Sequence, residues 1–365
     1  MFKAIDRWLA GYFKSVIKRN KIQAKPCHIM FCIADHFEPY AHEANKDEAH
    51  KRVYRFVENY PMIFKSLKDS DGRSPLHTFF YPIEQYDPEI LNVLKSFTTG
   101  GMGEVEVHLH HRDDTSENMT KTIVEFKEKL RNRHGLLGED RDGKIRYGFI
   151  HGNWALCNSL PDGDWCGVNN EIEVLCRTGC YADFTFPSAP SPTQPGMVNV
   201  IYRAGGSKEK PRSHDSGTIV MKNKKSEREN KLMIIEGPLA INWRKRKYGV
   251  IPSIENSTID SGNLPAKDRV DIWVRQRISV AGKGDWIFIK VHTHGALPIN
   301  MDVLLGERMK EMHSYLLEKY NDRENWFLHY VTAREMYNII RAAEDGMEGS
   351  PALYRDYEVK PPPCI

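Results

Sequence analysis

The sequence predicts an α/β fold organised on a parallel sheet, and three observations predict it. Strand-like apolar runs alternate with amphipathic helical runs from Cys27 to about Asp345. Several of these runs break into polar, histidine-rich residues at their C-terminal ends, which is where barrel enzymes keep their catalytic groups. A chain of 365 residues suits one large barrel or two ordinary domains, and the length of the alternation favours a barrel.

Residues 1–24 come first. Ile5, Trp8, Leu9, Tyr12, Phe13, Val16 and Ile17 fall on one helical face, with Lys3, Arg7, Lys14, Lys18 and Arg19 largely elsewhere. This is a basic amphipathic helix, lacking the continuous apolar core and cleavage site of a signal peptide. Packing on the domain is the expectation, and an anionic membrane surface is the alternative. CHIMFCIADHF then reads as a buried strand and HKRVYRFVENYPMIFKSLKD as a helix. LHTFFYPIEQY reads as a strand backed by the helix PEILNVLKSF, and GEVEVHLHH as a strand followed by a helix from about Ser116 to Arg133. IRYGFIHGN, the helix NNEIEVLCRTG and the strand YADFTFP continue the alternation. Residues 202–268 change to Lys, Gly, Ser and Pro, interrupted by IVMKN and KLMIIEG, and read as an inserted polar lobe that carries short strands or covers substrate, rather than a separate domain. DWIFIKVHTHG, MDVLLGERMKEMHSYLLEKY, NWFLHYV and TAREMYNIIRAAEDG resume the strand–helix order, so the main unit spans 25–345, and residues 346–365 form an irregular tail.

Composition narrows the function classes. Apolar residues make up 40% and charged residues 28%, the balance of a globular chain. A net charge of +3, from 52 basic against 49 acidic residues, is too weak a field to make nucleic acid the main partner. The basic run at 244–248 reads as a solvated face, with a polyanion as the lesser reading. Seven cysteines, at 27, 32, 157, 166, 176, 180 and 364, form no dense framework, which points to a reducing cytoplasmic setting.

The chemistry gathers at four strand ends: Asp35-His36-Phe37-Glu38, His108 through Asp114, His151-Gly152-Asn153-Trp154, and His292-Thr293-His294-Gly295. In GEVEVHLHH the period of two puts Val105, Val107 and Leu109 on one face and Glu104, Glu106, His108 and His110 on the other. His108 and His110 can converge on one ion from the strand, or His108 and His111 if the chain turns after Leu109. Neutral imidazoles with one carboxylate make a three-ligand site with room for water, the arrangement by which Zn²⁺ or a similar ion generates hydroxide near neutral pH. Asp35 is the expected carboxylate ligand. Lys290, His292 and His294 share a face of their strand, so a late histidine can serve as general acid, or as a ligand in a two-metal centre.

In order, the strand-ending Asp35, the HTFFY strand, the E-x-x-x-H-x-x-H of Glu104 to His111 and the late Val291-His292 resemble the polysaccharide deacetylase family, which includes chitooligosaccharide and peptidoglycan deacetylases. The likeness runs from about Cys27 to Ile340 and rests on the motif positions. It implies a distorted seven-stranded (β/α) barrel, a metal held by one Asp and two His, a neighbouring Asp as base and a late His as acid. Carried onto this chain, the metal Asp falls on Asp35, the first metal His on His108 and the late His on His292, with His294 as the near alternative. The second metal His would fall on Arg112, so His110 or His111 substitutes. Ala34 stands where the family has its catalytic Asp, unless the register slips to make Asp35 the base and His36 a ligand, and Glu38 is then a candidate base as well. His151-Gly152-Asn153-Trp154 replaces the family's Arg-Pro loop: Trp154 could stack on a sugar, and His151 or Asn153 could position the base. Asp183 could orient a catalytic partner.

The function this implies is metal-dependent removal of an N- or O-linked acetyl group from a glycan or glycan precursor, in the cytoplasm or at the inner face of a membrane, with zinc as the expected ion. Another metal hydrolase acting on glycosidic or phosphate esters, and a silent carbohydrate-binding protein, are the alternatives.

Overall fold

The computed structural model describes residues 4–19, 25–224 and 230–363; Lys3 and Cys364 lie outside the described residues. In chain order the elements are helix α1 (Ile5–Ile17), strand β1 (Cys27–His36), α2 (Lys46–Phe64), β2 (His77–Pro82), α3 (Pro88–Thr99), β3 (Gly103–Leu109), α4 (Ser116–Glu128), β4 (Tyr147–His151), α5 (Glu171–Thr178) and β5 (Cys180–Asp183). They continue with β6 (Ile201–Gly205), β7 (Thr218–Ile219), β8 (Lys231–Ile235), β9 (Ala240–Lys247), β10 (Ile251–Glu255), α6 (Lys267–Gln276), β11 (Trp286–Thr293), α7 (Pro298–Leu304), α8 (Glu307–Tyr320), β12 (Trp326–Tyr330) and α9 (Ala333–Glu344).

The helices start where local chemistry supplies the partners their first N–H groups need. Asn45 and Glu48 form a reciprocal capping box on α2, Thr332 and Glu335 do the same for α9, and Asp87 caps α3 ahead of Pro88. The segment expected as one helix from Met301 to Tyr320 breaks at Gly306, where α8 starts without a side-chain cap.

One large, mostly parallel sheet organises the chain. Its order is β11-β1-β2-β3-β4-β5-β8-β6-β7, with β12 pairing β1. The β12 register covers the first half of β1 and the β2 register its last three residues. Among the described residues the ladder does not return on itself to make a closed barrel. Of the stretch expected as an inserted lobe, β8 is a parallel neighbour of β5, β6 and β7 extend the sheet antiparallel, and β9–β10 form a separate two-stranded sheet. The hydrophobic run KLMII pairs in the main sheet because its side chains can be buried there.

Every residue of β1, β2, β3 and β11 is buried, as a sheet covered on both faces requires. On one face Phe31, Ile33, Val105, Val107 and Phe149 pack with Phe56 and Tyr60 of α2 and with α3 and α4. On the other, Met30, Cys32, Ala34, Phe80 and Ile150 pack with Met336, Ile339, Ile340 and Ala343 of α9. That alternation decides where the strand-end side chains go. His36 and His108 continue the α9 face, whereas Asp35 and His151 continue the helix-layer face.

Helix α1 packs through Trp8, which is buried with Ala189, Val198 and Leu239. Gly11 permits the close approach, since a Cβ there would meet the Gly196 carbonyl oxygen at 2.0 Å. Phe13, Val16 and Ile17 stay exposed. No helix among the described residues is long and apolar enough to cross a membrane.

Candidate metal centre

Parallel pairing brings the polar strand ends level. Ala34 lies opposite His292, Pro82 opposite His108 and Leu109 opposite His151. On the α9 face this gathers His36, Glu38, His108, His110, His292 and His294. The His36 ring stacks on His294 with centroids 4.6 Å apart, lies edge-on to His108 at 5.1 Å and stands 6.2 Å from His292. The His108 and His110 rings are 4.5 Å apart. Glu38 is common to two groups whose donor atoms all lie within 4.8 Å of one another, one with His36 and His294 and one with His108 and His110.

Hydrogen bonds fix the tautomers. The His108 Nδ1–H donates to the Ile150 carbonyl at 2.8 Å, so its Nε2 presents a lone pair toward Glu38 Oε1 3.2 Å away. His110 Nδ1 bonds Glu84 Oε1 at 2.6 Å and turns its Nε2 to the same Glu38 oxygen at 3.6 Å. Nε2 of His36 and Nδ1 of His292 are buried with no hydrogen-bond partner. A cation or a proton has to stand between atoms arranged this way, because lone pairs facing a carboxylate repel.

Electrostatics keep His36, His292 and His294 in ligand form. Burial, then the neighbouring His294, His108 and His292, holds His36 well below the ordinary imidazole range. Burial, with Lys290 and His294 beside it, does the same for His292, and burial lowers His294 against the pull of Glu38. Burial opposes the charge on Glu38, but the contact with His108 Nε2 and the surrounding imidazoles outweigh it and hold the carboxyl at about 2. His110 moves the other way: burial works to lower it, and Glu84 raises it.

The fold separates several of the expected positions. Asp35 is not among the converging donors. It sits on the opposite face from His36, and its carboxylate accepts from His77 Nε2 at 2.7 Å and from the Gly295 N–H at 2.6 Å. His36 stands where Asp35 was expected, as a slipped register implies, and Asp35 acts on the site through Gly295, the residue after His294, and through its charge near His294. His110 joins this centre, whereas His111 and His151 turn to the other face and meet each other there. Asp183 is buried two bonds away: it accepts from the Thr185 hydroxyl, whose oxygen accepts the His151 N–H. Trp154 lies beside the centre, 6.0 Å from His294 and 6.2 Å from His36 between ring centroids, and Asn153 is exposed at the rim. Asn153 and Trp154 carry positive φ, 52° and 55° respectively, a costly backbone for Trp that is held at this wall. Gly152 leaves room for His110, because a Cβ there would meet its ring at 2.2 Å.

Glu84, His77 and Glu171 were not singled out in the sequence. Glu84 follows a strand end, and the rule that found the histidines would have found it; His77 opens β2, and Glu171 opens a helix remote in sequence, with no local signal. Among the described residues three ligand groups of histidine and carboxylate lie at these strand ends, so a divalent ion has donors to hold it. No family model matches the chain, and no curated protein is detectably similar to it.

Proposed function

We propose that the chain is a metal-dependent hydrolase that removes an acetyl group, N- or O-linked, from a glycan or glycan precursor. The observation that carries the reading is the convergence of His36, His108, His110 and His294 on Glu38 beside an aromatic wall, with a buried His36 nitrogen left without a partner. A set of imidazole nitrogen donors suits zinc. A bound divalent ion supplies Lewis acidity toward the acyl oxygen.

The side chains divide the remaining work. His36, His108 and His294 are the nitrogen donors. Glu38, ionised and partly open, takes the proton of the attacking water, and His110, oriented by Glu84 and one-fifth exposed, returns a proton to the leaving oxygen or nitrogen. His292 lies deeper and backs the ring of His36, a positioning place rather than the acid the motif resemblance assigns to it. Trp154 offers a face for a sugar ring. In the open sheet β12 and β11 flank β1, whose C-terminal end carries His36. Acetate release from a panel of acetylated saccharides, with Glu38→Gln and His110→Ala as controls, tests the reading; metal-free protein with full activity would exclude it.

A phosphate- or glycosidic-ester hydrolase is the second reading, favoured by Glu38 belonging to two ligand groups as a carboxylate bridging two ions would. Phosphate or sugar release without acetate release would establish it. A bound ion with no turnover would make the chain a silent carbohydrate-binding protein. A peripheral contact with the inner face of a membrane is part of the proposal: exposed Phe13, Val16 and Ile17 sit on a helix with Lys14 and Lys18, and the β9–β10 hairpin exposes Trp243 and Tyr248 around Arg244 to Lys247.

A further inference from the structure

A second ligand set lies on the other face of the same strand ends. His111 follows β3, His151 closes β4 and Glu171 opens α5. Nε2 of His111 and Nε2 of His151 are 3.0 Å apart, and each is 3.3 Å from Glu171 Oε1. The three side chains are 7%, 0% and 0% exposed.

The outer atoms of each side chain are already committed. His151 Nδ1 faces the Gly152 carbonyl, which can only accept, so Nδ1 carries the hydrogen and Nε2 the lone pair. His111 Nδ1 faces an Asp114 carboxylate oxygen at 2.8 Å, and the other Asp114 oxygen accepts from Thr115 N and Asn118 Nδ2. Glu171 Oε2 accepts the Cys157 N–H at 2.7 Å, while Oε1, fully buried, has no hydrogen bond. Two ring nitrogens and a carboxylate oxygen therefore point at one spot. A single proton on His111 Nε2 bridges to one neighbour only, whereas one cation satisfies all three.

The spacing fits such an ion. Bonds of about 2.0–2.1 Å from zinc to nitrogen or oxygen give tetrahedral ligand edges of roughly 3.3–3.4 Å. The carboxylate behind His111 is the outer partner that ligating imidazoles commonly have. Gly167 makes space for the ring, since a Cβ there would stand 1.8 Å from His111 Cε1.

We propose that His111, His151 and Glu171 hold a second divalent transition metal, zinc by donor type, at a buried site separate from the first. It ties the ends of β3 and β4 to the start of α5 and, through Glu171 and Cys157, fixes the loop that carries Trp154.

The test removes the first centre and asks whether an ion remains. Full-length His36→Ala/Glu38→Ala/His108→Ala protein is depleted with a chelator, titrated with ZnCl2, dialysed and analysed for metal, with circular dichroism to confirm the fold. About one zinc per chain, lost on adding His151→Gln, supports the site, whatever the first centre does in the wild type. No retained zinc in the folded triple variant overturns it. As a second measurement that needs no triple variant, His151→Gln in the wild-type background lowers zinc content by one ion and abolishes the part of the chelator-induced fall in Tm that the second site contributes. Wild-type zinc content in that variant overturns the proposal equally.

Discussion

Asp35→Ala separates a ligand from a residue that only supports one. In the wild type the Asp35 carboxylate, fully buried, accepts from the Gly295 N–H at 2.6 Å and from His77 Nε2 at 2.7 Å. The substitution leaves both buried donors unpaired, and at about 1–3 kcal/mol for each such group the loss of stability is about 2–6 kcal/mol. Asp35→Asn keeps one acceptor oxygen and should lose about half as much. Because Gly295 follows His294, metal affinity should weaken by about 10–100-fold, the usual effect of losing an outer partner, without disappearing. Urea unfolding followed by circular dichroism reads the stability, and a zinc titration of the same protein reads the affinity. An Asp35→Ala protein with wild-type stability and an empty first centre would mean that Asp35 is a ligand, and the face assignment would be refuted.

Gly152→Ala should displace the His110 ring and cut turnover by at least about tenfold, with secondary structure unchanged by circular dichroism, since misplaced catalytic groups are that costly. Gly295→Ala places a Cβ 2.2 Å from Asp35 Oδ2 and should lower stability and metal affinity together, as Asp35→Ala does, in the same two assays. Burial pushes the Asp183 carboxyl up to about 7, against the Thr185 bonds and Lys290. The folded state then holds a proton that the unfolded state releases, so this group's contribution is complete below pH 3.8 and is lost as pH rises to about 7, at up to about 1.4 kcal/mol per pH unit. Urea midpoints across that window should fall less steeply in Asp183→Asn than in the wild type. Phe13→Ser/Ile17→Ser should reduce flotation with anionic liposomes by several-fold without altering the Trp8 contacts that dock the helix; unchanged flotation would remove the membrane contact.

Period and composition carried much of this molecule. The all-buried runs CHIMFCIADH and WIFIKVHT were legible as strands of a two-sided parallel sheet, and alternation in GEVEVHLHH correctly put His108 and His110 on one face. The same rule, applied to CIADH, separates His36 from Asp35, but motif resemblance drew the carboxylate to Asp35 against it. Whether His111 or His110 joined His108 depended on where the strand ended, and the ladder runs to Leu109, which keeps the alternation going past it. Short strands were legible inside 202–268, but the place of β8 beside β5 in the main sheet was not, because that pairing is a tertiary fact. Glu171 was invisible for the same reason: only the return of α5 over β3 and β4 brings it to the histidines.

The most direct test of the first centre is the metal content of His36→Ala beside the wild type, both purified at full length and dialysed after zinc loading. His36 Nε2 has no hydrogen bond to lose, so the variant should fold normally. The account predicts one zinc fewer per chain than the wild type and no acetate release. A folded His36→Ala protein with the wild-type zinc content would contradict it.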